Sequence, residues 1–286
     1  MLGLGIVLLV PWKSVIVRRA PMLRVASLTL LGLIMICVVS GLVEVFAGYG
    51  VLWRLSPIQV HVGSALLAAP LLAWHVLRRR PQRLRRTDVS RRTLLRSGAL
   101  AAGAAAVYLT LEGIGRLAGS ASASRISTGS HLVSADAVPA TIWLFDQVPD
   151  VGPDHRVLVA GSAFSVSDLA SRSRAITARL DCTSGWYTDA TWTAVSLADL
   201  LAGEKLSAAA SIEVVSVTGY RRRLPADEAG SLWLATAYQG EPLRAAYGAP
   251  VRLVAPHRRG FWWVKWVASV ELSDVPAWGQ SPYPLQ

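Results

Sequence analysis

Cys182 is the residue best suited to do chemistry in the second half of the chain. It lies in the sequence Arg-Leu-Asp-Cys-Thr-Ser-Gly-Trp-Tyr, and it is the only cysteine in the half that we expect to be exported. Without a local disulfide partner, such a thiol serves as a small apolar core residue, a reactive thiol or a soft metal ligand. The residues around Cys182 favour the metal ligand.

Several motifs follow Cys182 in a defined order. Cys182, Trp186 and Trp192 have the spacing Cys-x3-Trp-x5-Trp, and further along lie Thr218-Gly-Tyr220, Gly248-Ala-Pro-Val-Arg252 and Gly260-Phe-Trp-Trp-Val-Lys-Trp266. Over about residues 139–271 this order resembles the sulfite oxidase superfamily of molybdopterin-dependent oxidoreductases. The resemblance implies an α+β sulfite-oxidase-type molybdopterin-binding domain. It also implies that the thiolate of Cys182 is the catalytic molybdenum ligand, beside the two dithiolene sulfurs of the pterin cofactor.

A cofactor of this kind needs a positively charged cradle for its phosphate, because the protein's task is to bind and orient the cofactor. The cations available are Arg221, Arg222, Arg223, Arg252, Arg258, Arg259 and Lys265. By resemblance, Arg252 and Lys265 are the main cofactor contacts, and further candidates are Arg221, Arg222, Arg258 and Tyr247. Family members often carry histidine in place of Tyr247; a phenol can donate a hydrogen bond but carries no imidazolium charge. The run of three arginines has the alternative of a solvated strand or turn.

The residues after Cys182 indicate the branch of the superfamily. Plant and animal sulfite oxidases usually continue with Gly-Asn-Arg, whereas this chain has Thr183-Ser-Gly-Trp186, which is more similar to the bacterial branch with the periplasmic methionine sulfoxide reductases. We therefore expect oxygen-atom and two-electron transfer on a small molecule, sulfoxide-reductase-like rather than sulfite-oxidising. The alternative is a non-catalytic binding or structural module that kept the fold and the anchor, and Tyr247 is the feature that favours it.

The first part of the chain is unusually apolar. The 286 residues are 52% hydrophobic, with a mean hydropathy of +0.40, which is high for an ordinary soluble protein. Residues 23–46, 57–77 and 94–117 are each long enough to cross a bilayer, and residues 3–17 give a shorter candidate. We expect a transmembrane helical region at 1–117, a linker at 118–137 and the molybdopterin-binding domain at 138–286.

Basic residues are concentrated in two of the expected loops. They are Lys13, Arg18, Arg19 and Arg24 in the first, and Arg78, Arg79, Arg80, Arg83, Arg85, Arg86, Arg91, Arg92 and Arg96 in the second. Loops of this kind stay in the cytoplasm, so we expect a multi-pass protein of the cytoplasmic membrane with its C-terminal domain outside. The net charge of +11 then requires no nucleic acid, because basic loops fit an anionic inner leaflet.

Export of a folded domain fits a further motif. Ser90-Arg-Arg-Thr-Leu-Leu95 precedes an apolar run and looks like a twin-arginine signal. Molybdopterin is loaded in the cytoplasm, so the domain must cross already folded. We expect a monomeric catalytic domain that exchanges electrons with a membrane redox partner, a quinone or a cytochrome.

Two histidines in the second expected span suggest a second cofactor. His61 and His75 are fourteen positions apart, which places them on nearly the same helix face and about 21 Å apart. This is the spacing of haem ligands on one helix of di-haem cytochromes b, so haem b is a candidate; the alternative is an interfacial structural role. Residues 1–60 contain no histidine. We therefore expect an upstream extension with a further apolar span that carries the partner histidines.

The C-terminal half has the sequence pattern of a mixed α+β domain. Short apolar or β-branched runs predict strands at residues 156–160, 212–217, 250–254 and 263–270. Short helices are expected at residues 165–170 and 196–201.

Overall fold

The computed structural model describes residues 21–50, 55–77, 91–119, 121–141, 147–204 and 206–281. The expected span at 3–17 and most of the basic loop that ends in the twin-arginine motif lie outside these residues. The chain divides into two compact units, Met1–His131 and Leu132–Gln286. This division falls within the segment that the sequence predicts to be a linker.

The first unit contains three long helices, α1 (Pro21–Ala47), α2 (Pro57–Leu77) and α3 (Arg91–Leu117). By length and composition alone, each contains a candidate membrane span, at Val25–Ala47, Pro57–His75 and Leu94–Leu117. These ranges coincide with the three spans that the sequence predicts in this region.

Local signals explain where two of these helices begin and end. Gly48 follows α1 with φ of 78°, the left-handed conformation in which glycine commonly stops a helix. Pro57 occupies the first position of α2, where its missing N–H costs nothing. The backbone N–H of Ser56 donates to Gln59 Oε1 at 2.8 Å, which is one half of a capping box.

The second unit contains two β-sheets. Their strands are β1 (His131–Leu132), β2 (Arg156–Val159), β3 (Ser162–Ser165), β4 (Arg174–Asp181), β5 (Trp186–Ser196), β6 (Ser211–Ser216), β7 (Arg221–Pro225), β8 (Trp233–Tyr238), β9 (Glu241–Pro242), β10 (Arg252–Val254) and β11 (Val267–Ser273). One sheet has the order β1-β5-β8-β10, with β4 beside β5 and β9 beside β8, and the other has the order β3-β2-β11-β6-β7. Strand β11 is parallel to β2 and antiparallel to β6. The short helices α4 (Val166–Ser171) and α5 (Leu197–Leu200) lie at the ends of strands.

The predicted strands agree with the structure except at the last aromatic run. Residues 263–270 were predicted as one strand, but Gly260–Trp262 form a 3-10 helix and the strand begins only at Val267. Trp266 has φ of 51°, a left-handed conformation that interrupts extended pairing. The sequence predicts that Lys265 alternates with tryptophans on a strand. In the structure it lies instead in the loop before β11.

The hairpin of β4 and β5 positions Cys182. Asp181 pairs with Tyr187 at the last register position, and four residues connect the strands. The N–H of Cys182 donates to Trp186 O at 2.8 Å, and that of Gly185 donates to Cys182 O at 3.2 Å. Gly185 has φ of 97°, so a glycine at this position closes the turn without strain.

The core of this unit can be tested at β10. Leu253 is fully buried, and Leu253→Ala should lower the free energy of unfolding by about 2–5 kcal/mol, because a cavity replaces packed side-chain atoms. Leu158 is 45% exposed, so the matched Leu158→Ala change should cost within about 0.5 kcal/mol. Denaturant unfolding of the detergent-purified protein, followed by tryptophan fluorescence, measures both. Equal losses would contradict the assigned burial.

Candidate active site

Cys182 lies at the tip of the β4–β5 hairpin and is nearly buried, with 9% of its surface exposed. Its Sγ lies 3.1 Å from the hydroxyl of Ser184 in the same turn. Ser184 is in turn 3.1 Å from Thr141 Oγ1, and the indole of Trp186 donates to that same oxygen at 3.1 Å. The thiol therefore belongs to a polar network with the buried residues Ser184 and Trp186 and the partly buried Thr141.

A second segment holds the tip of this hairpin from outside. Arg259 Nη2 donates to the carbonyl of Cys182 at 3.2 Å, and Arg259 Nε lies 3.5 Å from Asp181 Oδ2. A Cβ added at Gly260 would lie 3.1 Å from Cys182 Cα and 3.2 Å from Asp181 O. Glycine thus lets the chain approach the cysteine closely. Arg259 acts here on the hairpin backbone.

Arg252 on β10 is a buried cation, with 4% of its surface exposed. Its Nη1 donates to Tyr247 O at 3.0 Å, and its guanidinium lies 5.0 Å from the ring of Trp192 and 5.6 Å from that of Trp263. Among the described residues, its Nε has no hydrogen-bond partner and no ion pair includes it.

Arg252 gives the site a buried positive charge. Burial lowers the pKa of Arg252 to about 10, and the neighbouring Cys182 and Tyr238 oppose this decrease. Arg252 remains protonated at neutral pH, so the fold keeps a desolvated positive charge within electrostatic reach of the thiol. A buried charge is costly unless an opposite charge or polar group meets it. An anionic group beside Arg252 would offset this cost, and a phosphorylated pterin that carries a metal would be such a group.

Lys265 and Tyr247 each donate a hydrogen bond to one segment, residues 135–141. Lys265 Nζ donates to Thr141 O at 2.7 Å and also to Ala246 O at 2.8 Å. The hydroxyl of Tyr247 donates to Val138 O at 2.5 Å. The sequence places both residues near the cofactor, but it did not reveal that backbone carbonyls of residues 135–141 accept their protons.

Tyr238 is a residue that the sequence did not single out. Its hydroxyl donates to Ala135 O at 2.7 Å, and its ring packs 4.7 Å from that of Trp192. Burial raises its pKa to about 12, so it stays a neutral hydrogen-bond donor. A cleft of about 210 Å³ lies beside it, lined in part by Asp136, Glu241, Arg244 and Tyr247.

The other predicted cations have surroundings of their own. Arg221 is exposed. Arg222 is buried between the rings of Phe261 and Trp262, each 5.3 Å from its guanidinium. The guanidinium of Arg258 also lies near Trp262, 5.0 Å from its ring. It makes two hydrogen bonds to the carboxylate of Glu228. The neighbouring Arg223 pairs with Glu213 at 3.0 Å. The contacts of Arg252 and Lys265, unlike these, connect to the residues around Cys182.

The two histidines of α2 have different environments. His61 Nδ1 lies 2.7 Å from Cys37 O and 3.5 Å from Cys37 Sγ, and a Cβ on Gly41 would lie 2.9 Å from that nitrogen. His61 therefore fills the contact between α1 and α2, and His75 is buried. In the described ranges no cluster of three or more His, Cys, Asp or Glu side chains could hold a metal ion. Haem binding stays a prediction.

The close approach of Gly260 to Cys182 gives a direct test. Gly260→Ala should displace the hairpin tip, because the added methyl group meets backbone atoms at about 3 Å, and overpacking of this kind costs about 1–3 kcal/mol. In a Cys37→Ser background, the alkylation rate of Cys182 should rise. Gly230→Ala is the matched control, since nothing lies within 4 Å of its added Cβ. Unchanged alkylation in Gly260→Ala would contradict the assigned contact.

Comparison with known proteins identifies the domain that contains these residues. Residues 147–281 match the family model described as the oxidoreductase molybdopterin binding domain, which confirms the predicted sulfite-oxidase-type domain. No functionally curated protein matches the chain.

Among solved structures, one similar to the chain is the crystal structure of the sulfane dehydrogenase SoxCD from Paracoccus pantotrophus, at 23% identity and a TM-score of 0.41. The similarity covers 45% of this chain and 40% of that one, so the chain spans less than half of that relative. The segment matched by the family model contains Cys182, Arg252 and Lys265. This segment of the chain is therefore an oxidoreductase molybdopterin binding domain, the domain of molybdenum-dependent oxidoreductases.

Proposed function

We propose that this protein is a membrane-anchored molybdenum enzyme that transfers an oxygen atom and two electrons to or from a small extracytoplasmic substrate. The observation that carries this proposal is the pairing of a nearly buried thiol at Cys182 with a buried cation at Arg252. A soft thiolate suits a metal with polarisable sulfur donors. A desolvated guanidinium suits an anionic cofactor.

The residues of the chain divide the work of binding. Cys182 would hold the metal, and the Nε of Arg252, which has no hydrogen-bond partner in the described part of the chain, would donate to the anionic cofactor. Lys265 would supply a second cation, and its two carbonyl partners fix the position of its Nζ. When bound, the molybdenum cofactor itself supplies the oxygen-atom and electron chemistry. The tryptophans packed around Arg252 keep water away, which strengthens each of these electrostatic contacts.

A neutral sulfoxide fits the surroundings better than the sulfite dianion. The turn after Cys182 has Thr183-Ser-Gly-Trp186 in place of the Gly-Asn-Arg of sulfite oxidases. The cleft beside Tyr238 is lined by two carboxylates, Asp136 and Glu241, against one guanidinium, Arg244. This charge balance repels a dianion more than it repels a neutral polar molecule.

A non-catalytic binding or structural module is the second candidate. It is favoured by Tyr247, because its hydroxyl is engaged with Val138 O and no imidazole stands in its place. The two candidates differ in metal content. A purified protein with stoichiometric molybdenum and pterin supports the enzyme, whereas a cofactor-free protein with a native fold supports the module.

Substitution of the proposed metal ligand tests the enzyme directly. Cys182→Ser should abolish turnover and change the molybdenum electron paramagnetic resonance spectrum, because an alkoxide oxygen is a harder ligand with a much higher pKa than a thiol. Circular dichroism should show an intact fold. Cys37→Ser is the matched control and should behave as the unmodified protein in both assays. Full turnover by Cys182→Ser would exclude the proposed role.

Membrane anchoring and orientation are part of the proposal. The three candidate spans of α1, α2 and α3 support it by length and composition, and the two clusters of basic residues support cytoplasmic loops. An enzyme held in this way would exchange electrons with a quinone or a cytochrome of the same membrane.

Reporter fusions test the orientation. A phosphatase fused after Gln286 should be active, because that enzyme works only outside the cytoplasm, and the same phosphatase inserted at residue 85 should be inactive. A fluorescent protein that matures only in the cytoplasm should give the opposite pattern at the two positions. The reverse result at either position would contradict the orientation that we infer from the arginines.

A further inference from the structure

We propose that Ser184 is a positioning residue that donates a hydrogen bond to the metal-binding sulfur of Cys182, and that Trp186 and Thr141 set the direction of this bond. The inference rests on the proposed function, in which Cys182 holds molybdenum. It is carried by three consecutive contacts: Trp186 Nε1 to Thr141 Oγ1, Thr141 Oγ1 to Ser184 Oγ, and Ser184 Oγ to Cys182 Sγ. Each of them is 3.1 Å long.

The chemistry of the end groups fixes the direction of the chain. An indole N–H can only donate, so Thr141 Oγ1 accepts from Trp186. A metal-bound thiolate sulfur can only accept, so the hydroxyl proton of Ser184 points to Cys182. The oxygen of Ser184 then remains as an acceptor for the one hydroxyl proton of Thr141. The three hydrogen bonds therefore point in one direction, from the indole of Trp186 to the sulfur of Cys182, and bonds aligned in this way strengthen one another.

Further contacts fix the residues at both ends of this series of hydrogen bonds. Trp186 is 2% exposed, as is Ser184, and the hairpin bond from Cys182 N to Trp186 O fixes their relative position. The backbone carbonyl of Thr141 accepts from Lys265 Nζ at 2.7 Å. One of the two cations proposed for the cofactor therefore also holds the residue that orients Ser184.

A hydrogen bond to a ligating sulfur changes the reduction potential of the metal that the sulfur binds. The proton withdraws electron density from the thiolate, so the sulfur donates less to the metal and the reduced metal is favoured. Ser184 should therefore raise the reduction potential of the molybdenum centre. A merely structural serine would leave that potential unchanged.

The test is a redox titration of the molybdenum signal in four variants of the full-length protein. Ser184→Ala should shift the midpoint potential to a lower value and move the sulfur-to-metal charge-transfer band, while molybdenum content stays at the level of the unmodified protein. Thr141→Val removes the hydroxyl that donates to Ser184, together with the oxygen that accepts from the Trp186 indole, and should give a smaller shift in the same direction. Ser184→Thr keeps the hydroxyl and should restore the potential. Ser211→Ala is the control, because Ser211 is a buried serine with one hydrogen bond, to Val275 O at 2.7 Å, in the other sheet.

The double variant separates a chain from two independent effects. Thr141 acts through Ser184, so Thr141→Val combined with Ser184→Ala should shift the potential no further than Ser184→Ala alone. An unchanged potential in Ser184→Ala with full metal content, or a fully additive double variant, would overturn the proposal. If Ser184→Ala does not fold, the Thr141→Val and Ser184→Thr pair decides in the same way. A protein that binds no molybdenum even without substitution would instead overturn the proposed function and, with it, this inference.

Discussion

The constraint on which the site depends is the buried positive charge of Arg252. A guanidinium with 4% exposure and no carboxylate partner among the described residues is expensive in the cofactor-free protein. Two tryptophan rings and one backbone carbonyl reduce this cost, but within the described ranges Nε has no acceptor. Natural folds keep such an arrangement where a ligand of opposite charge completes it. The same charge that destabilises the empty fold would therefore stabilise the cofactor complex.

The rest of the domain serves to bring Arg252 and Cys182 together. Arg252 lies on β10 and pairs with Ala235 of β8, while Cys182 lies in the turn of the β4–β5 hairpin. Two glycines let loops approach closely at this point. Gly260 lies against the cysteine, and Gly248, with φ of 105°, lies where an added Cβ would be 3.0 Å from Lys265 Cβ. Because a side chain at either glycine would crowd Cys182 or Lys265, glycine at both positions lets the fold bring these two residues into the site.

The sequence predicted the helices, most of the strands and the cysteine motif because these depend on local patterns. Apolar runs of span length stand out by themselves, and the spacing of Cys182, Trp186 and Trp192 is read within eleven residues. Contacts across the fold were not visible. Thr141 meets Trp186 over 45 positions of sequence, and no local signal marks it. The run of three arginines gave no sign that Arg222 alone is buried between aromatic rings, since one-residue alternation in β7 decides which side chain faces inward.

Position 247 contributes a phenol to the site and not an imidazole. A histidine there would titrate near neutrality and would add or remove a positive charge beside an anionic cofactor. Tyr247 instead offers an uncharged donor, and that donor holds residue 138 of the segment over the site. The pKa of Arg252, about 10, keeps its guanidinium charged through the neutral range. The charge that Arg252 presents to the cofactor is therefore constant between about pH 6 and 8, more than a pH unit below that pKa. The positive charge of the site therefore comes from the buried guanidinium of Arg252 and not from position 247.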